Sequence, residues 1–282
     1  MTIDLLESLL YTKALNFPPP EEVFWYTSGT VGPYYINTHY LYGSQEEAEE
    51  LLEMINIEKG NPEFPLLLKE RVDRQYMENS IYRYVIDSLV DLIRYKSSIE
   101  FDAISGGERR DWFFSLAVAQ RLGKPHLFIF KDLKKVILKG ADIGREGIKG
   151  INTLHVADLV TEASSYFRSW IPALNADSGI ITYSVNVIDR GQGGVKALRE
   201  KGVACDALLS VDNSLFSKLL TRGTINADQA KLFEAYQNDP YVSMRDFLVR
   251  HPDFVELSLS NDDPKIRQRA KLFLENDPYK MR

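Results

Sequence analysis

Asp158, Thr161, Ser164 and Ser165 fall within eight residues, directly behind the mostly apolar run Leu154–Ala157 and directly ahead of a helical pattern. An acid at the end of a buried strand, three hydroxyls and a fresh helix N-terminus suit a phosphate accompanied by magnesium. Carboxylate oxygens are the donors a hard cation takes, and the first amides of a helix point at an anion. Glu162 sets a carboxylate in the middle of that cradle. At ~4 Å and intermediate dielectric, it costs a bound phosphate on the order of a few kcal/mol unless it is turned outward.

Three further stretches place cations or glycines behind apolar runs. Phe101–Ser105 is followed by Gly106 and Gly107, which permit close backbone approach, and by Arg109 and Arg110, which can grip an anion. The plainer reading of that stretch is a tight turn with solvated arginines. His126–Phe130 is followed by Lys131, Lys134 and Lys135, and Ile180–Asp189 by Arg190 and the Gly-rich run to Gly194. Open parallel sheets bind ligands beyond the carboxyl ends of their strands. Gathered on one sheet edge, these groups describe a site for a phosphorylated sugar or a diphosphate with magnesium. A dinucleotide fits less well, because Gly106–Trp112 lacks the third glycine of a G-x-G-x-x-G fingerprint. His39, His126, His155 and His251 have no metalloprotease spacing, and no G-x-S-x-G nucleophile elbow occurs.

Those groups need a scaffold, and the chain has one. Leu5, Leu6, Leu9 and Leu10 share a helical face over Asp4–Asn16, and Phe17–Pro20 ends it. Val23–Thr27 and Pro33–Thr38 flank a Gly-bearing turn and are predicted to form a hairpin-like pair. Ser44–Glu58 and Leu66–Lys96 are predicted helices. From Glu100 short apolar strands alternate with helices: Phe101–Ser105, His126–Phe130, Asn152–Ala157, Ile180–Asp189 and Cys205–Val211, with Arg110–Leu122, Ser164–Ala176 and Gly194–Lys201 between them. That rhythm predicts an α/β fold, a mostly parallel sheet with helices on both faces. After Ser214 the chain reads as helical, with Ala230–Tyr241 echoed by Ala270–Tyr279. Three segments follow: 1–99, N-terminal helices and hood strands; 100–213, the parallel core; 214–282, a helical extension.

The 282 residues suffice for a full core, and the net charge of −6 without a dominant basic block argues against a nucleic-acid partner. Cys205 is the single cysteine, which excludes intrachain disulfides and points to a reducing compartment. No apolar run reaches membrane-spanning length and the N-terminus has no signal-peptide pattern, so the expectation is a cytoplasmic protein without membrane contact.

The order of motifs, VFWYTSGTVGPYYIN, the Gly-rich turn, LGKP with FKDLK, VADLVTEASS and VIDRGQGG, resembles the orotate phosphoribosyltransferases of the type I phosphoribosyltransferase fold. The likeness runs from about Tyr11 to Val211, with extra sequence at Ser44–Ser80 and beyond Ser214. It implies transfer of ribose 5-phosphate from phosphoribosyl pyrophosphate to a pyrimidine base, orotate, with release of pyrophosphate. It also implies a need for Mg²⁺ and a homodimer. By position, Tyr35, Ile36 and Arg190 would line the base pocket, and Gly106, Gly107 and Arg110 would hold the pyrophosphate. Lys131 and Lys134 would sit on a mobile basic loop. Asp158 would face the ribose hydroxyls, reaching the metal only through ribose or water, and Thr161, Ser164 and Ser165 would wrap the 5-phosphate. Several positions depart from the family pattern: Ala157 replaces the first of two adjacent acids, Glu162 and Ala163 enter the phosphate turn, and Thr27, Thr30, Phe130 and Val136 stand where cations are expected. The alternative reading is a catalytically inactive relative that binds a nucleotide or phosphosugar, or a protein-interaction module.

Overall fold

In the computed structural model, which describes residues 4–95, 99–144 and 148–281, Asp4 accepts a hydrogen bond from the Leu6 amide at 2.8 Å and starts helix α1 (Leu5–Tyr11). Four two-residue strands follow: β1 (Leu15–Asn16), β2 (Phe24–Trp25), β3 (Val31–Gly32) and β4 (Tyr35–Ile36). β1 pairs with β4 and β2 with β3, both antiparallel. The expected hairpin of Val23–Thr27 with Pro33–Thr38 is therefore replaced: the first segment folds back on Val31–Gly32, and the second takes Leu15–Asn16. The N-terminal helix stops short of Asn16 for the same reason.

Helix α2 (Gln45–Glu58) is capped by Ser44, whose Oγ accepts from the Glu47 amide at 3.1 Å. The single helix expected over Leu66–Lys96 is two, α3 (Phe64–Glu78) and α4 (Ser80–Tyr95); Lys96 lies outside the described residues. Asn79 makes the break. Its amide closes α3 on Gln75 O at 2.8 Å, while its Oδ1 accepts from the Ile81 and Tyr82 amides, each at 3.0 Å. Asn79→Ala removes that acceptor and is expected to cost about 1 kcal/mol in urea unfolding, the worth of an N-cap; an unchanged midpoint would rule out the capping role.

The central sheet comprises β5 (Ala103–Gly107), β6 (His126–Ile129), β7 (Lys135–Lys139), β8 (Asp142–Gly144), β9 (Asn152–Val160), β10 (Ile180–Asp189) and β11 (Ala204–Ser210), in the order β11-β10-β9-β5-β6-β7-β8. Its pairs are parallel except at β7 and β8, which add an antiparallel meander on one edge. Successive residues Thr153–Ala157 are all buried, as a strand covered on both faces requires. On one face α5 (Trp112–Leu122) packs Trp112 against Phe128 with ring centroids 5.4 Å apart. On the other, Leu127 and Ile129 join a cluster with Trp170, Leu174 and Leu198. These come from a π-helical turn (Tyr166–Trp170), α6 (Ile171–Asn175) and α7 (Gly194–Glu200). The fold is thus the expected α/β class with a mostly parallel sheet.

The chain divides into two compact units. The first runs to Ala14 and resumes over Asn37–Ser210, and the second joins Leu15–Ile36 to the chain from Val211 onward. The second unit contains α8 (Asn213–Thr221), α9 (Ala227–Asn238), α10 (Pro240–Arg250), α11 (Phe254–Leu259) and α12 (Pro264–Asn276). These helices supply the core that two-residue strands cannot build alone. Trp25 stacks on Phe254 at 5.3 Å and donates its indole N–H to Ser258 Oγ at 2.9 Å, and Tyr34 packs on Phe233 at 5.5 Å. The echoed motifs each bury a phenylalanine, Phe233 and Phe273. Among the described residues, no helix is long and apolar enough to cross a membrane.

Candidate functional site

At the carboxyl ends of β5 and β9 the first unit holds a cleft of about 280 Å³. Of the residues singled out by sequence, Arg109, Arg110, Lys131, Asp158, Thr161, Glu162, Ser164 and Ser165 line it. Gly106 and Gly107 lie inside β5 rather than in a turn after it, and Asp158 lies within β9 two residues before its end.

The glycines serve the protein's own packing. A Cβ on Gly106 would sit 2.1 Å from Ser115 Oγ, and one on Gly107 would sit 2.2 Å from the Trp170 ring. The close approach they permit is therefore taken by α5 and by the Trp170 indole, which also lies parallel to His155 at 6.4 Å. Sequence reasoning missed Trp170: its i, i+4 spacing from Tyr166 signals a buried face but not which strand receives it.

The two arginines diverge. Arg109 donates to Asn56 Oδ1 of α2 at 2.6 Å, whereas the Arg110 guanidinium is exposed at the cleft and makes no hydrogen bond or ion pair among the described residues. Glu108 is buried, paired with Lys59 Nζ at 2.6 Å and accepting the Lys131 amide at 3.0 Å. The Lys131 side chain is exposed on the cleft rim. Lys134 does not line the cleft; its ammonium lies 5.9 Å over the Phe130 ring. Both lysines belong to a tight β6–β7 turn closed by Phe130 N–H donating to Lys134 O at 2.9 Å. Where the resemblance implies a basic loop, the turn runs directly into β7–β8, Lys135–Lys139 pairing antiparallel with β6 through the consecutive apolar residues Val136, Ile137 and Leu138.

Asp158 has an acidic neighbour that its own strand does not supply. Asp111 accepts the Asp158 amide on Oδ1 at 3.1 Å and the Gly107 amide on Oδ2 at 3.0 Å. Burial, then the charge of Asp111, pushes the Asp158 carboxyl well above the usual carboxylate range, with Arg110 opposing. The acid missing at Ala157 is thus answered in space from the start of α5. The sequence signal was there, an acid just ahead of a helix, but such an acid ordinarily reads as that helix's own cap.

The turn after β9 keeps an open cradle. Among the described residues, the amides of Thr161, Glu162 and Ala163 make no hydrogen bond, and Glu162 is exposed with no bond to them. Ala163 adopts φ 58°, the left-handed region, and its methyl is buried in the core cluster. The turn therefore holds a conformation that glycine favours, with alanine bearing a strain of about 1 kcal/mol. Gly194 closes the far side: its amide donates to Thr161 O at 2.9 Å, and a Cβ there would lie 2.6 Å from that oxygen. Arg190, whose amide donates to Val160 O at 2.9 Å, is not among the cleft-lining residues. Tyr35 and Ile36 form β4 of the second unit. His39 and His126 are core histidines held neutral, each pushed down to about 3 chiefly by burial.

No protein-family model matches the chain. The orotate phosphoribosyltransferase of Methanoculleus marisnigri is 31% identical over 116 residues, 41% of this chain and 66% of that protein. That of Sinorhizobium fredii is 29% identical over 109 residues, 37% of this chain and 45% of that protein. The chain thus spans between about half and two thirds of the curated relatives it matches. Among solved structures, the UMP synthase of Leishmania donovani aligns with a TM-score of 0.57 at 18% identity, over 83% of this chain and 41% of that one. The orotate phosphoribosyltransferase of Francisella tularensis aligns at 0.55 and 16% identity, over 83% and 96%. The structural likenesses speak for the fold, the sequence matches for the kind of relative, and together they make this an orotate phosphoribosyltransferase-like protein of type I phosphoribosyltransferase fold.

Proposed function

We propose that the cleft binds phosphoribosyl pyrophosphate and that the protein transfers its ribose 5-phosphate to a pyrimidine base, orotate, releasing pyrophosphate. The observation that carries this reading is the meeting, in one cleft, of the unbonded Arg110 guanidinium, Lys131, Asp158 and the open Thr161–Ser165 turn. The turn suits the 5-phosphate, Asp158 the ribose hydroxyls, and Arg110 with Lys131 the diphosphate. In the reaction the C1–O bond to pyrophosphate breaks and a C1–N bond to the base forms, the proton of the base N–H passing to the released pyrophosphate or to water. Negative charge grows on the leaving group, which is where the two cations would act. Arg190 remains a candidate for the base.

Magnesium fits as a cation that arrives with its ligand. No cluster of three or more metal-ligating side chains exists among the described residues, so diphosphate and ribose oxygens would have to provide most donors, with Asp158 facing them. Its contribution would be charge neutralisation on the diphosphate.

A second reading, ligand binding without transfer, draws on Lys134, which stands away from the cleft, and on the regular β6–β8 meander in place of a basic loop. One experiment separates the two. With phosphoribosyl pyrophosphate, Mg²⁺ and orotate, transfer is expected to deplete orotate absorbance and release pyrophosphate. Calorimetric binding of phosphoribosyl pyrophosphate without turnover would leave the second reading, and no heat at all would sink both.

A further inference from the structure

An aspartate just ahead of a helix ordinarily turns its carboxylate onto the amides of that helix's first turn. Asp111 does not: its side chain makes no cap bond to α5. It reaches sideways, and each oxygen takes a backbone amide from the end of a different strand, Gly107 of β5 at 3.0 Å and Asp158 of β9 at 3.1 Å. The two amides are just beyond the β5–β9 register, which ends with Ser105 opposite His155. Where the ladder bonds stop, the Asp111 carboxylate replaces them. The residue is buried, and His155, wholly buried, aims its unpartnered Nε2 at Asp111 Oδ2 from 3.5 Å. His155 Nδ1 in turn lies 3.0 Å from Ser105 Oγ, so the carboxylate is backed by a fixed polar chain.

Asp111 is buried and stands beside the half-buried Asp158 carboxyl, and two neighbouring acids disfavour each other's charged form. Only a carboxylate takes both amides at once, because an asparagine has a single acceptor oxygen and would turn an N–H donor toward the second amide. The charge stands against Asp158, the group facing the ribose in the proposed function, while Arg110 balances it from the rim.

We propose that Asp111 is a positioning residue of the cleft: it clamps the end of β9 to the end of β5 and so sets where the Asp158 carboxyl stands relative to the diphosphate-binding segment. The proposal rests on the proposed function for the identity of the ligand, but the clamp itself is a property of the free protein. Its Gly107 arm anchors it to the strand of the diphosphate-binding segment, and its Asp158 arm places the group on the ribose side. Arg110, which would meet the diphosphate, receives nothing from Asp111.

The test compares Asp111→Asn, Asp111→Ala, Asp158→Asn and the Asp111→Asn/Asp158→Asn double variant with wild type. Calorimetry with Mg²⁺ uses two probes, phosphoribosyl pyrophosphate and inorganic pyrophosphate, which lacks the ribose. Asp111→Asn is expected to weaken phosphoribosyl pyrophosphate about tenfold, the worth of one misplaced charged hydrogen bond, and to leave pyrophosphate within about twofold. The double variant is expected to be no weaker than Asp158→Asn alone, since one acts through the other. A parallel loss of both probes, as from a general loosening, or additive losses in the double variant, would overturn the proposal. Amide hydrogen exchange in the free protein decides the clamp independently of ligand. In Asp111→Ala the Gly107 and Asp158 amides should lose protection while the neighbouring Leu154 and Val156 amides keep theirs. If both clamp amides stay protected the proposal fails, whatever binds. If wild type binds neither probe but the amides respond as expected, the clamp stands and the ligand assignment is what falls.

Discussion

Gly107→Ala is expected to lower the unfolding free energy by about 1–3 kcal/mol, the usual cost of forcing a methyl into a filled core. The added Cβ would lie 2.2 Å from the Trp170 ring and 2.9 Å from Asp111 Oδ2, and neither can retreat easily. Trp170 is buried in the cluster beneath the sheet, and Asp111 is fixed by two amides. Trp170→Ala by itself removes one of the largest buried side chains and should cost about 3–5 kcal/mol. The double variant carries the argument, because the alanine methyl then occupies space that the indole has left. Its cost should fall short of the sum by about 0.5–3 kcal/mol, a coupling expected only for groups in contact. Urea unfolding with a common slope measures all three; strict additivity would show that the glycine serves something other than the indole.

The same pair marks the boundary between what the sequence discloses and what it does not. Gly-Gly behind an apolar strand reads equally well as a place where a ligand's phosphate approaches backbone or where a side chain does. Only the partner from 63 positions further along, Trp170, decides it, and no local pattern names that partner. Elements whose signal is local were legible: β10 spans Ile180–Asp189 as its mostly apolar run predicts, and α2 follows Ser44 as a cap requires. The break at Asn79 was hidden because the apolar stripe continues through it, though Asn followed by Ser is a cap signal. The β7–β8 meander was hidden because its lysines mask a short strand pattern, Lys135–Lys139, that pairs only with one edge of the sheet. Most of the cleft was legible as residue types at strand ends. The carboxylate beside Asp158 was not, since Asp111 belongs to another strand's loop and reaches it only in the folded chain.

The divergence of the two arginines yields the largest expected effect on binding. Adjacent arginines look interchangeable in sequence, and both line the cleft, yet Arg109 is engaged by Asn56 at 2.6 Å while the Arg110 guanidinium makes no hydrogen bond or ion pair among the described residues. A guanidinium that is already bonded gains less from an incoming anion than one whose donors are open. On the proposed function, Arg110→Ala removes two charged hydrogen bonds to diphosphate and should weaken phosphoribosyl pyrophosphate and inorganic pyrophosphate alike by about 100-fold or more. Arg109→Ala should change either by less than about threefold, with its effect appearing instead as a small loss of stability from the freed Asn56 amide. Arg110→Lys keeps the charge but not the planar fork, and should recover only part of the affinity. Calorimetry at two salt concentrations checks the assignment, because raising salt should erode the wild-type affinity more than that of Arg110→Ala. If instead Arg109→Ala carries the larger loss, the diphosphate is held by the Arg109 side of this same cleft, and its assignment to Arg110 falls.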